Sequence, residues 1–307
     1  MIRKEGFFWE IYKNRYIYLL ALPGIIFLVI FAYIPMFGHI IAFKNLQFDR
    51  GIIFSPWVGM RNFQFLFRNP DWLSVTINTI KLNSLFIVFG MGGALVIALL
   101  LNEIKTILFK RISQSLIFLP YFVSWMIVSF MIYTVLNYNN GIANRFLAVM
   151  GVEAVSWYSR PEYWTFILVI MYSWKFTGYF SVIFLAAITG ISVEYYESAR
   201  IDGANRLQQA LFITLPVIRP TIIILALLAI GRIFYGDFGM IYSIVGDNAI
   251  LFPVTDVIDT FTYRALRQSG NIGMASSVAL YQSCLGMVTV ILFNTIVKRI
   301  EKSSALF

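Results

Sequence analysis

The sequence predicts an all-α integral membrane protein of six transmembrane helices, with a polar two-helix loop on the cytoplasmic side between the fourth and the fifth. Three observations carry that prediction. The 307-residue chain is 59% hydrophobic and 13% charged, with a mean hydropathy of +0.77, more apolar surface than a soluble fold of this length could hide from water. Its apolar residues gather into six runs, each reaching the roughly 20 residues that cross about 30 Å of hydrocarbon. Between two of these runs, Ile191–Pro216 sets Glu194, Glu197, Arg200, Asp202 and Arg206 close together, too polar a group to enter lipid.

In chain order, residues 1–15 form an N-terminal segment in which Arg3, Lys4, Lys13 and Arg15 surround Phe8, Ile11 and Tyr12. That pattern suits a short interfacial helix and equally the positive flank of a first span. The membrane domain covers residues 16–297. Its spans are expected at Tyr16–Ala42, Thr76–Leu101, Ile112–Leu136, Tyr163–Ile188, Val217–Met240 and Gly273–Val297, followed by a tail at 298–307. The first run is longer than a signal-peptide core and has no small-residue cleavage site before its end, so it reads as a retained span. Six spans put both termini on one side. Twelve Lys and Arg fall in the N-terminus, Glu103–Ser113, Ile191–Pro216 and the tail, against eight in the longer Phe43–Val75, Asn137–Glu162 and Ile241–Ile272 loops. The positive-inside rule therefore makes both termini and Ile191–Pro216 cytoplasmic. The net charge of +9 sorts by loop and not into a nucleic-acid-binding patch.

Within Ile191–Pro216, Ser192 can cap a helix through Arg200. Asp202 can end it and cap a second one, Gly203 allows a tight turn, and Pro216 closes the second helix. Leu207, Ala210 and Leu211 then share a stripe with Phe212 beside it, which needs a partner groove unless it rests on the membrane.

Three spaced groups in this loop resemble a known signature: Glu197-Ser198-Ala199, Asp202-Gly203-Ala204 and Ile213-Thr214-Leu215-Pro216. They match the EAA loop of permease subunits of type I ATP-binding-cassette (ABC) importers, with Ser198 in place of the middle alanine. Trp57-Val58-Gly59-Met60-Arg61-Asn62-Phe63, Asn69-Pro70, Asn78-Thr79, Tyr33-Ile34-Pro35-Met36-Phe37-Gly38, Thr255-Asp256-Val257-Ile258-Asp259-Thr260 and the ending Ser304-Ala305-Leu306-Phe307 look like the carbohydrate-uptake group, polysaccharide or oligosaccharide type. The resemblance implies a heterodimer with a second related permease, two cytoplasmic ATPase subunits and an extracytoplasmic solute-binding lipoprotein, in the bacterial plasma membrane. It implies that Glu197, Ala199, Asp202, Gly203, Ala204, Leu207, Leu211, Phe212, Ile213, Leu215 and Pro216 form the ATPase-coupling surface. ATP and Mg²⁺ would sit on the ATPases, with no cofactor on this chain. The chain's own residues agree, since no Lys follows a Gly and a phosphate loop is therefore missing.

No catalytic set stands out, and Asp256 and Asp259 read as helix caps or partners of Arg264. With one Cys and one His, Cys/His metal sites are excluded. Charges inside spans point to a pathway, because lipid disfavours them. Lys175 with Tyr172, Trp174 and Tyr179 on the fourth span, and Arg232, Tyr235 and Asp237 on the fifth, offer ring faces and hydrogen-bonding groups suited to sugar. The other reading is an interspan pair such as Lys175 with Asp237. Gly90, Gly92, Gly93 and Gly178 read as packing positions, and Cys284 as a packing residue. Two other functional classes compete: an ion-gradient-driven secondary transporter, for which an inverted repeat is missing, and a membrane-embedded glycan enzyme.

Overall fold

The computed structural model describes Trp9 and residues 12–300, with the side chains of Phe65 and Ile300 left aside. The interfacial reading of Phe8 and Ile11 and the tail beyond Ile300 lie outside the described residues. Among those described, the regular structure is all helical, apart from an isolated antiparallel bridge between Lys44 and Trp57. Five helices among the described residues are long and apolar enough to cross a membrane, and a pair bent by 96° makes six if it is taken as one span. We label the main elements α1 (Arg15–Phe43), α2 (Trp72–Glu103), α3 (Ile107–Phe122), α4 (Trp125–Leu136), α5 (Ile142–Val149), α6 (Trp164–Thr189), α7 (Val193–Ile201), α8 (Arg206–Ile230), α9 (Phe238–Val245), α10 (Ile258–Ser269) and α11 (Ile272–Ile300).

The chain divides into two compact units. The first holds residues 1–68 and 269–281. Here α1 buries nothing along Arg15–Leu28, so its apolar faces are left for lipid or another chain. The segment after it is pinned by side chains that satisfy backbone carbonyls. Lys44 Nζ donates to Ile52 and Ile53, and Asn62 Nδ2 donates to Ala42 and Lys44. Ser277 Oγ donates in turn to the Asn62 carbonyl. The Trp57–Phe63 motif therefore serves as an internal brace.

The second unit, residues 69–268 and, among the described residues, 282–300, carries the polar loop and the charges singled out within spans. It has two apolar cores. One joins Leu82 and Phe86 of α2, Val128 and Ile132 of α4, Trp164 and Leu168 of α6, and Met240, Ile241 and Ile244 of α9. The other joins Met91, Ala94 and Ala98 of α2, Phe184, Leu185 and Ile188 of α6, and Ile218 of α8. At Gly178 a Cβ would collide with the backbone of Ile117 and Phe118, so only glycine lets α6 lie this close to α3. Gly90 faces Tyr172 and Gly93 faces Thr177, as packing positions do, whereas Gly92 meets nothing. Cys284 is exposed and not packed.

Two expected spans are corrected. The third is broken: α3 and α4 meet at 96°. Pro120 tightens Leu119–Phe122 into a 3₁₀ turn, and Ser124 restarts the helix by accepting a bond from the Ile127 N–H. The fifth starts earlier and ends earlier than Val217–Met240. It runs from Arg206 to Ile230, and Asp237 then caps the separate α9 through the Met240 N–H at 2.9 Å. Pro216 does not close a helix: a π turn at Ala210–Thr214 precedes it and the helix continues. The Pro216 ring would clash with the carbonyl four residues back, at Phe212, which is the centre of that π turn.

Candidate functional site

The polar loop is built as a Schellman turn followed by a capped helix. Ser192 Oγ accepts from the Glu194 N–H to start α7. At its end Asp202 is the C-cap, and Gly203 takes a φ of +80°. The Ala204 N–H bonds to the Ala199 carbonyl at 2.8 Å and the Gly203 N–H to Arg200 at 3.0 Å. Those are the two bonds of the Schellman motif, and they account for Ala199, Gly203 and Ala204 at their spacing. Asp202 does not cap the second helix. Asn205 does, in a capping box with Gln208.

Two further bonds lock the angle between α7 and α8. The Tyr196 hydroxyl meets Thr214 Oγ1 at 2.9 Å, and Gln209, 4% exposed, donates Nε2 to the Ala204 carbonyl at 2.9 Å. Arg206 pairs with Glu103 at the end of α2, 3.1 Å away. Against this rigid frame Leu207 is 68% exposed and Phe212 76%, with Leu211 also exposed and Glu197 and Pro216 at the surface. Ala199, Asp202, Gly203, Ala204, Gln208, Gln209, Phe212 and Ile213 line a shallow open groove of about 330 Å³. Ile213 and Leu215 are half-buried. Of the loop residues singled out by spacing, Ala199, Asp202, Gly203, Ala204, Phe212 and Ile213 line this groove, and Gln208 and Gln209 join them; Glu197, Leu207, Leu211, Leu215 and Pro216 lie outside its lining.

The second group lies where the helices break. Lys175 is 7% exposed, and its Nζ donates to the carbonyls of Tyr121, at 3.1 Å, and Val123. It also sits 5.0 Å over the Trp125 ring, whose Nε1 donates to Asp237 Oδ2 at 3.2 Å. Lys175 and Asp237 are therefore joined through an indole and not as a direct ion pair. Ring stacking continues along α6, from Phe86 to Tyr172 at 4.4 Å, on to Phe176 at 4.6 Å, and from Tyr121 to Tyr179 at 4.8 Å. Trp174 stands apart, in an apolar groove with Val128, Met131, Ile167 and Ile170.

Past Ile230 the irregular backbone is held by side chains from three directions. Asn83 donates to the Ile233 and Tyr235 carbonyls, Gln282 donates to Phe234, and Asp259 accepts from the Gly236 N–H at 2.6 Å. Non-helical backbone within a bundle needs such partners. The Tyr235 hydroxyl meets Ser283 Oγ at 2.9 Å. Arg232 is exposed, and no hydrogen bond or ion pair holds its guanidinium among the described residues. Asp256 pairs with Arg264 and accepts from the Thr260 hydroxyl at 2.6 Å, a structural role. Trp125, Tyr121, Asn83 and Gln282 escaped the reading of charges in spans. The run Pro120-Tyr121-Phe122-Val123-Ser124-Trp125 carried the available signal, a proline and a serine cap inside an apolar run.

A helical bundle with an exposed polar loop and broken helices around an aromatic and polar centre has the architecture of a membrane permease. Residues 87–302 match the family described as binding-protein-dependent transport system inner membrane component, and the chain belongs to that family. It is 33% identical over 290 residues to the polygalacturonan/rhamnogalacturonan transport system permease protein YteP of Bacillus subtilis, covering 94% of this chain and 90% of the relative. It is 34% identical over 300 residues to protein LplB of the same organism, covering 97% and 94%. Among solved structures it matches a chain of a bacterial ABC transporter involved in the import of the acidic polysaccharide alginate. That match has a TM-score of 0.86 and 31% identity and covers 97% of this chain and 100% of the other. The same transporter has been solved in complex with alginate pentasaccharide-bound periplasmic protein.

Proposed function

We propose that this permease forms half of the translocation pathway of an ATP-driven importer of oligosaccharides or polysaccharides. A second related permease forms the other half, two cytoplasmic ATPases drive it, and an extracytoplasmic lipoprotein delivers sugar. The chain sits in a bacterial plasma membrane with both termini cytoplasmic. The observation that carries this reading is the unbroken helix α8, which joins the exposed Leu207, Leu211 and Phe212 face to the span ending at the polar break. The printed names of the relatives support a glycan cargo.

In this mechanism the ATPases hold ATP and Mg²⁺ and hydrolyse the nucleotide, and this chain catalyses nothing. Closure of the ATPase pair pulls on the groove around Gly203 and Phe212. Because the two bonds at Thr214 and Gln209 fix α7 against α8, the displacement passes into the span instead of dissipating in the loop. The far end of α8 borders the break at Arg232–Asp237, so the motion changes the setting of the residues we assign to the sugar path: Tyr172, Lys175, Tyr179, Arg232, Tyr235 and Asp237. Each state is favoured by the contacts it alone makes. Glu197→Ala and Gly203→Pro should abolish ATP-driven uptake in proteoliposomes while membrane insertion stays normal. Normal uptake by both variants would remove the docking role.

A further inference from the structure

Beyond Ile230, at the end of α8 opposite the coupling loop, an open cavity of about 320 Å³ is lined by Asp247, Phe252, Arg264, Arg267 and Gln268. None of these belongs to the path residues above. Its size falls at the lower end of the roughly 300–1,000 Å³ typical of small-molecule sites. The lining is held from behind. Arg264 lies 3.8 Å over the Phe252 ring and pairs with Asp256, which is 6% exposed. Arg267 donates to Asp247 and to the Tyr242 hydroxyl, both at 3.1 Å. Tyr242 is stacked on Phe238 at 5.2 Å and meets Tyr263 edge-on at 5.0 Å, so an aromatic cluster backs this arginine.

This arrangement offers a flat ring-and-guanidinium platform, a carboxylate, a primary amide and two guanidinium forks. Each guanidinium carries five N–H donors, and the bonds above use only some of them. A pyranose ring needs that combination: its C–H face packs on a flat apolar surface while its hydroxyls bond donors and acceptors. Arg264 is balanced by Asp256 and Arg267 by Asp247, so the cluster carries no net charge and a carboxylated ring would be recognised by the N–H donors that these pairs leave unused. Planar guanidinium forks also match a carboxylate better than a hydroxyl. A purely structural purpose explains the Arg267–Asp247 pair poorly, because its side chains are 54% and 52% exposed. Exposed pairs of this kind add little to stability.

We propose that this cavity is a sugar-binding subsite at the outer mouth of the permease. It takes one pyranose ring of the carried glycan and holds carboxylated rings more tightly than neutral ones. The inference rests on the importer reading above.

The test uses the complete importer in lipid nanodiscs, with trigalacturonate and its fully methyl-esterified form as probes in saturation-transfer NMR titrations. The wild type should bind trigalacturonate more tightly than the ester. Arg267→Gln should weaken trigalacturonate by about tenfold and erase the preference, whereas Gln268→Ala should weaken both probes. Both residues are exposed, so the variants keep the fold. Unchanged binding in both variants, with uptake intact in the wild type, would overturn the subsite alone. Loss of ATPase stimulation by the capture protein, with probe binding unchanged, would make the cavity a protein-docking face and equally overturn it. Absence of ATP-driven uptake of any glycan by the wild type would bring down the importer reading and the subsite with it.

Discussion

Lys175 and Arg232 are both cations among apolar helices, and their surroundings give them different tasks. Lys175 donates to two carbonyls freed where α3 ends, so it stabilises the break. Lys175→Met keeps the length of the side chain and leaves those carbonyls without a donor, at a cost of about 1–3 kcal/mol. The melting temperature of the purified protein should fall by about 2–4 °C per kcal/mol, with uptake falling too. Arg232 is exposed and makes no such bond. Arg232→Gln should leave the melting temperature unchanged and lower uptake by about tenfold, the effect of one lost hydrogen bond from a charged donor. The reverse pattern in the two variants would exchange their assignments. At this scale the sequence showed which charges stand in apolar runs but not what they bond. The partners of Lys175 are backbone carbonyls and an indole, which become available only because the helix breaks beside them.

The two π turns share one cause. Val29–Tyr33 precedes Pro35, and Ala210–Thr214 precedes Pro216. In each, the carbonyl that the proline ring would strike, at Phe31 or Phe212, is the central residue of the wide turn. Pro216→Ala removes the clash, and α8 should relax to a regular α-helix. A π turn holds one extra residue, so its loss rotates Leu207 and Phe212 by about 100° relative to the span. Basal ATPase activity of the assembled importer should persist while uptake collapses, and spin labels at 207 and 225 should report the rotation. Unchanged label distances together with normal uptake would show that the π turn is dispensable. Hydropathy located these apolar runs because each has enough apolar length. It missed the breaks at Val123–Ser124 and after Ile230 because a window average cannot register a proline, a glycine or a cap. Gly231, Gly236 and the Asp237 cap mark the second break, yet the apolar residues between them carried the expected span on to Met240.

At the scale of the molecule, the surfaces left uncovered are as informative as the cores. The Arg15–Leu28 stretch of α1 buries none of its residues, and the loop stripe at Leu207, Leu211 and Phe212 faces outward. The loop was legible in advance because its turn depends on local chemistry: a serine cap, a glycine at positive φ and small residues at 199 and 204. The polar centre at the helix breaks was less legible, because side chains from α2, α3, α4, α6 and α11 converge there from distant parts of the sequence. The central claim is that this chain moves sugar only when a separate ATPase pulls on the loop around Gly203. It is tested most directly by labelled-oligosaccharide uptake into proteoliposomes holding this chain and its companion permease, with and without the ATPase subunits. The account predicts uptake that requires both ATP and the ATPases and that Glu197→Ala abolishes. Uptake that persists without the ATPases and follows an ion gradient would contradict it.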